Sequence, residues 1–334
     1  MNDILIVAMV VTCVLAVMPF VPGALELARP RDDQRLEIEQ GYVRDPRFFG
    51  RSFRHKLAPA IAHAGSALPY RSSIQLHRPE RFEVRRDLFV PAGGSIGGVV
   101  VALGDADVGR GAKVGDCYAT GGVTVTDRAT LRALACDGFA TLGQDVRIGR
   151  WIDAAQDILV GERCDLGQSL SAGGNVRLRE HCTFRRLWGR PIETEAPHAA
   201  APITPTIEDV VVFGAKGLSL PRNTVLDQDL VVRGALQIGA NSVIRGDIKA
   251  HKSIIIQPGV RIEGNVVTRG DLTIAGDVEI MGNIFSERDI SIGSRSRIGS
   301  ADAYKSVYAA GSARLRDRVT VFGWIIAEVG GSVG

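Results

Sequence analysis

Cys164 and Cys182 occupy equivalent positions of adjacent repeat units, a spacing that would stack two thiols in neighbouring turns, within disulfide reach. The chain has only five cysteines, an odd and low count that favours reduced core residues over a disulfide scaffold. His181 and His251 fall at predicted corners, where an imidazole can serve as a general base. Neither has a partner that the sequence names, so a solvent-facing histidine is the simpler reading. Asp105 with Asp107, Asp227 with Asp229, and Asp247 offer acidic patches, for which turn-forming aspartate is the simpler account. There is no CxxC pair and no Walker A, GxGxxG or GxSxG pattern in strand–turn–helix context. No catalytic residue, metal ligand or cofactor is therefore assigned. Net charge is +3, from 40 basic and 37 acidic residues, too balanced to imply a nucleic-acid partner.

The elements that must position these residues come from a repeat. Aliphatic columns recur at a constant step: Leu218, Leu236, Ile254, Leu272, Ile290, then Leu220, Ile238, Ile256, Ile274, Ile292. Two further columns run through Ile244, Ile262, Ile280 and through Ile248, Val266, Ile284. The same template, with an occasional step one shorter, fits residues 88–189. Residues two apart in a strand share a face, and a jump of six carries the chain round a corner. A unit this short buries its core only by stacking on its neighbours. The pattern predicts an all-β chain: a parallel β-helix of about 17–18 residues per turn and about 12 turns, right-handed by the general crossover rule. The Pro-rich stretch 190–209 separates an N-terminal block (88–189) from a C-terminal block (210–334), and one collinear rod is expected.

Residues 1–27 read as a single transmembrane helix; a cleaved signal peptide is the competing reading, against which Met1-Asn2-Asp3 carries no basic residue. The run from Ile4 to Phe20 carries no charge and is long enough to span a bilayer core, with Ile4, Val7, Val10, Leu15 and Phe20 meeting lipid. Basic residues follow the run, so its C-terminal side is placed in the cytoplasm. Residues 28–87 read as a basic juxtamembrane segment, in which Arg47, Phe48, Phe49, Arg51 and Phe53 are suited to an anionic membrane surface. A solvated linker with a short helix is the competing reading. The ends of the repeat are candidate self-association surfaces: Phe322, Trp324 and Ile325 at one end, where no charged cap follows, and Leu88 and Val90 at the other.

The segments LQIGANSVIRGDIKAHKSIIIQPGVRIEGNVV and GDLTIAGDVEIMGNI, within 218–302, resemble the bactofilin family of bacterial polymer-forming cytoskeletal proteins. The resemblance implies a right-handed parallel β-helix that polymerises end to end without nucleotide. It implies a place on the cytoplasmic side of the bacterial inner membrane, the chain itself as partner, and a scaffolding role for cell-envelope or cell-wall proteins. The chain departs from the family in its length, its apolar N-terminus and its second block. Two other readings remain open. A hexapeptide-repeat acyltransferase, a left-handed β-helix, has coils of the same period, but its small-residue position holds Leu, Ile and Val here. An envelope β-helix that binds polysaccharide requires the opposite topology and would favour exposed aromatic rows, which the sequence does not show.

Overall fold

The computed structural model describes residues 18, 45–65, 74–76, 82–195 and 217–334. The described residues form an all-β parallel solenoid of about 13 turns, against the 12 expected. Its 32 strands run from β1 (Ile74–Leu76) to β32 (Thr320–Val333), preceded by one described helix, α1 (Phe48–Gly65). The expected transmembrane helix is not supported: among the described residues no helix is long and apolar enough to cross a membrane. Ile4, Val7, Val10, Leu15 and Phe20 lie outside the described residues.

The aliphatic columns become strand ladders. Leu236, Ile254, Leu272 and Ile290 pair in parallel register, as do Ile244, Ile262, Ile280 and Ile298. Their side chains are buried in one cluster that runs from Leu88 to Val333. Corners between strands repeat a left-handed residue: Asp145 (φ 58°), Arg163 (φ 56°), Asp277 (φ 61°) and Arg295 (φ 60°) among them. That conformation strains a residue with a Cβ. Stacked corners offset part of the strain with opposite charges, Arg163 donating to Asp145 at 2.9 Å and Arg295 to Asp277 at 2.6 Å. Asp229 and the Gly-Asp and Gly-Asn dipeptides at 246–247, 264–265 and 282–283 form a second ladder. Side-chain oxygens of Asp229, Asp247, Asn265 and Asn283 each accept the backbone N–H of the next coil, at 2.7–2.9 Å.

The two blocks share a core, but they are not collinear in chain direction. The last coil of the first block, β15 (Thr183–Thr194), pairs antiparallel with β32. Thr183 faces Ser332, Leu187 faces Ile325, Trp188 faces Trp324 and Glu193 faces Thr320. Each block thus meets the other with its C-terminal coil. The boundary expected at 190 shifts accordingly, since strand structure persists to Thr194.

The expected juxtamembrane segment holds part of the solenoid. Strand β2 (Phe82–Arg85) pairs in parallel with β4 (Ser95–Ala102), and β1 closes on β2 antiparallel. Helix α1 lies on the outer face of the first block. That face is apolar where it would otherwise meet water: Val84, Val99, Val101, Tyr118 and Ala135 form a second buried cluster with Leu57 of the helix. Phe53 packs edge-on against Trp151 at 5.3 Å and Tyr118 at 6.4 Å, and Phe49 stacks on Trp151 at 6.4 Å. Phe48 sits edge-on to Phe49. Arg47 bonds Asp153 at 2.9 Å, while Arg51 is exposed and pairs with Asp45 at 3.0 Å. The structure therefore places Arg47 and Phe53 against the solenoid rather than on an outward-facing surface, while Phe49 stacks on Trp151 with 38% of its surface exposed. The physical reason is the apolar sheet beneath them.

Candidate functional site

A solenoid can associate through any coil whose strand edges and ladder ends are left uncovered. The expected C-terminal end is not such a coil. Ile325 is fully buried opposite Leu187, and the ring of Trp324 lies 5.1 Å from that of Trp188. Phe322 carries the guanidinium of Arg297 over its ring at 5.0 Å. These three residues belong to the internal junction because β15 already occupies the edge of β32. At the other expected end, Leu88 and Val90 of β3 (Leu88–Val90) are 2% and 1% exposed. Their side chains are spent in the core. What β3 leaves free is its backbone edge, since its one partner among the described strands is β5 (Ala106–Val108).

The coil left most open begins the second block. Strand β16 (Gly217–Leu220) pairs with β19 (Ala235–Ile238) alone, β17 (Val225–Leu226) with β20 (Val243–Ile244) alone, and β18 (Leu230–Val232) with β21 (Ile248–Ala250) alone, among the described residues. Leu218, Leu220, Leu226 and Leu230 are only partly buried, whereas Leu236, Ile238, Ile244 and Ile248 one coil further in are at most 1% exposed. Val225 and Val231 stand 60% and 67% exposed. Among the described residues the coil thus offers three unpaired strand edges around a half-covered leucine ladder. The sequence left a signal nearby: residues 190–208 hold four prolines and interrupt the ladder pattern.

The residues that suggested chemistry have structural roles. Cys117, Cys136, Cys164 and Cys182 are free and buried. Cys164 donates to the carbonyl of Gly143 at 3.1 Å and Cys182 to that of Gly161 at 3.0 Å. The hydrogen bond with Cys164, and then burial, pushes the Cys182 thiol up, and burial pushes Cys117 and Cys136 up to about 12. The hydrogen bond with Cys182 pulls the Cys164 thiol down, but Cys164 is buried like the other three and lacks the solvent access of a reactive cysteine. These four thiols are expected to resist iodoacetamide at pH 8 in the folded protein and to react after denaturation. Peptide mass mapping checks this, and rapid native labelling of Cys164 or Cys182 would count against their burial. His181 is a left-handed corner residue (φ 60°), exposed beside Glu180 at 3.8 Å. The backbone N–H of His251 donates to Val232, and its side chain sits at a coil turn. The aspartates of the acidic pairs serve turns: Asp105 accepts the N–H of Gly122 at 2.7 Å, and Asp229 that of Asp247 at 2.8 Å. Among the described residues no group of three or more His, Cys, Asp or Glu side chains is placed to hold a metal.

No family model, curated protein or solved structure matches the chain.

Proposed function

We propose that the protein is a self-associating structural rod, a scaffold whose copies join through the coil formed by β16, β17 and β18 without nucleotide. The observation that carries the reading is that coil's edges, unpaired among the described residues, around a half-buried leucine ladder. Completing the burial of one leucine is worth up to about 1.5–3 kcal/mol. Edge pairing adds backbone hydrogen bonds, so association draws on burial and strand pairing rather than on hydrolysis. Coil-on-coil closure within the chain, β15 against β32, supports the idea that such ends can seal. The outer faces of the rod then serve as the platform on which cell-envelope proteins are organised.

Sedimentation velocity and negative-stain electron microscopy of the full chain, purified without nucleotide, test this. Wild type is expected as filaments or oligomers larger than the 35.7 kDa chain. Val225→Asp, at an exposed position, and Leu220→Asp are expected to yield single chains, with the circular dichroism spectrum of Val225→Asp unchanged. A wild-type protein that stays monomeric at micromolar concentration, or assemblies indifferent to Val225→Asp, would overturn the proposal.

A further inference from the structure

The outer face at the junction carries a feature that self-association does not use. The ring of Tyr304 is 43% exposed and meets Trp188 edge-on at 5.8 Å. The guanidinium of Arg190 lies over both rings, 5.0 Å from Tyr304 and 5.4 Å from Trp188. Across the junction, Arg297 covers Phe322. Lys305 pairs by backbone with Gly323, the residue between Phe322 and Trp324. On the strand of Lys305, Tyr308 stacks on Phe285 of the neighbouring strand, 5.0 Å apart with their planes 3° from parallel, and Phe285 is 38% exposed. The chain has only 19 aromatic residues in all, 3 Trp, 5 Tyr and 11 Phe, so this clustering is a strong local enrichment.

Several arginines of the solenoid pair across coils with carboxylates, as Arg245 does with Asp227, Arg261 with Glu279 and Arg295 with Asp277; what sets Arg190 and Arg297 apart is that each lies over an aromatic ring. Among the described residues no carboxylate forms an ion pair with Arg190, Arg297 or Lys305; Glu279, opposite Arg297 in register, pairs with Arg261 instead. Three cations, two of them over aromatic rings, complement an anionic partner. A guanidinium stacked on a ring still presents its N–H edge to carboxylate or phosphate.

We infer that this face binds an acidic polysaccharide, with sugar C–H faces resting on Tyr304 and on the Phe285–Tyr308 pair and acidic groups meeting Arg190, Arg297 and Lys305. A sheet face with one strand per coil, about 4.8 Å apart, offers a linear polymer a repeated step. Single-stranded nucleic acid also stacks on aromatic rings. It carries a charge at every nucleotide, however, and draws on a long basic groove, whereas this patch holds three cations on a chain of net charge +3.

The experiment is titration of the full-length protein with polygalacturonate, followed by tryptophan fluorescence and calorimetry. Neutral dextran, a thymidine oligonucleotide and a rise in salt serve as comparisons. Saturable binding of polygalacturonate that weakens with salt is expected. Arg190→Glu and Arg297→Glu should each weaken it about tenfold or more, a loss of about 1.4 kcal/mol, and Tyr304→Ala should weaken it with the circular dichroism spectrum unchanged. Arg222→Glu, at an exposed cation in the first coil of the second block, should leave binding as it is. Absence of saturable polygalacturonate binding, equal affinity for dextran or the oligonucleotide, or full affinity in Arg190→Glu would overturn the inference. Loss of self-association by Val225→Asp leaves these readouts untouched, so the two proposals fail separately.

Discussion

Ile325→Asp is expected to destabilise the protein by about 4 kcal/mol or more and to separate the two blocks, because a carboxylate there would lose its water and gain no partner. Ile325 is fully buried, opposite Leu187 across the antiparallel junction and next to Val307 on its parallel side. Such a change lies in the far tail of single-substitution effects. Ile325→Val removes one methylene and should cost only about 0.5–1.5 kcal/mol. A charge at this position would cost less if β32 were an open end, because the side chain would be only partly buried, as Leu218 is in the open coil of the second block. Denaturant unfolding separates the cases: the junction predicts a large drop in midpoint, an open end a smaller one. Gly331 offers a second probe of the same interface. A Cβ there would run into the ring of Phe184, so Gly331→Ala should also weaken the union of the blocks, while an alanine at an exposed turn should not.

How much of this was legible in the sequence depends on what leaves a periodic trace. The coil ladders do: a column such as Leu236, Ile254, Leu272 and Ile290 is a statement about stacking, and the structure pairs those residues in register. The small residues at the inner corners do as well, for Ala129, Val146, Cys164 and Cys182 are all buried. The reversal at β15 and β32 does not. A ladder residue in a last coil looks the same whether the next coil is absent, parallel or antiparallel, so Trp324 and Ile325 read as an end. The seat of α1 left a signal of another kind. Residues 99–102 read Val-Val-Val-Ala and are all buried, a run without the polar alternation of a strand that faces water on one side. A strand covered on both faces requires something outside it. The aromatic and basic residues at 47–53 were the available cover, and their composition alone suits a sheet as well as it suits a lipid surface.

Asp153→Ala is expected to release α1 from the solenoid at a cost of about 3 kcal/mol, the range for breaking a buried ion pair from one side. Asp153 is 1% exposed on an outward ladder whose neighbours are Ala135 and Ser171. Its oxygens accept from Arg47 at 2.9 Å and 3.0 Å, from Arg54, and from the Ser171 hydroxyl at 2.7 Å. Gly50 permits this approach, because a Cβ there would collide with the carboxylate. Without Asp153, Arg54 keeps Asp137, at 2.6 Å, and the carbonyl of Cys136, but Arg47 loses its carboxylate on the solenoid. Asp137 is committed elsewhere too: it accepts the Tyr118 hydroxyl at 2.5 Å, and burial together with that bond holds the phenol protonated well above its usual range. The Arg47 and Arg54 side chains are 17% and 19% exposed, so neither guanidinium can replace the lost carboxylate with water while docked. That favours a helix that lifts into solvent. Lifting uncovers Leu57, Val84, Val101 and Tyr118, so the penalty is shared between charge and apolar exposure. Hydrogen exchange over residues 48–65 should rise ahead of exchange in the solenoid strands, and Trp151, freed from Phe49 and Phe53, should shift its fluorescence to the red. The solenoid core does not depend on Asp153, so the main unfolding transition should survive. Loss of helix protection together with the whole solenoid would mean that α1 and the coils fold as one unit, and that the carboxylate anchors the entire first block.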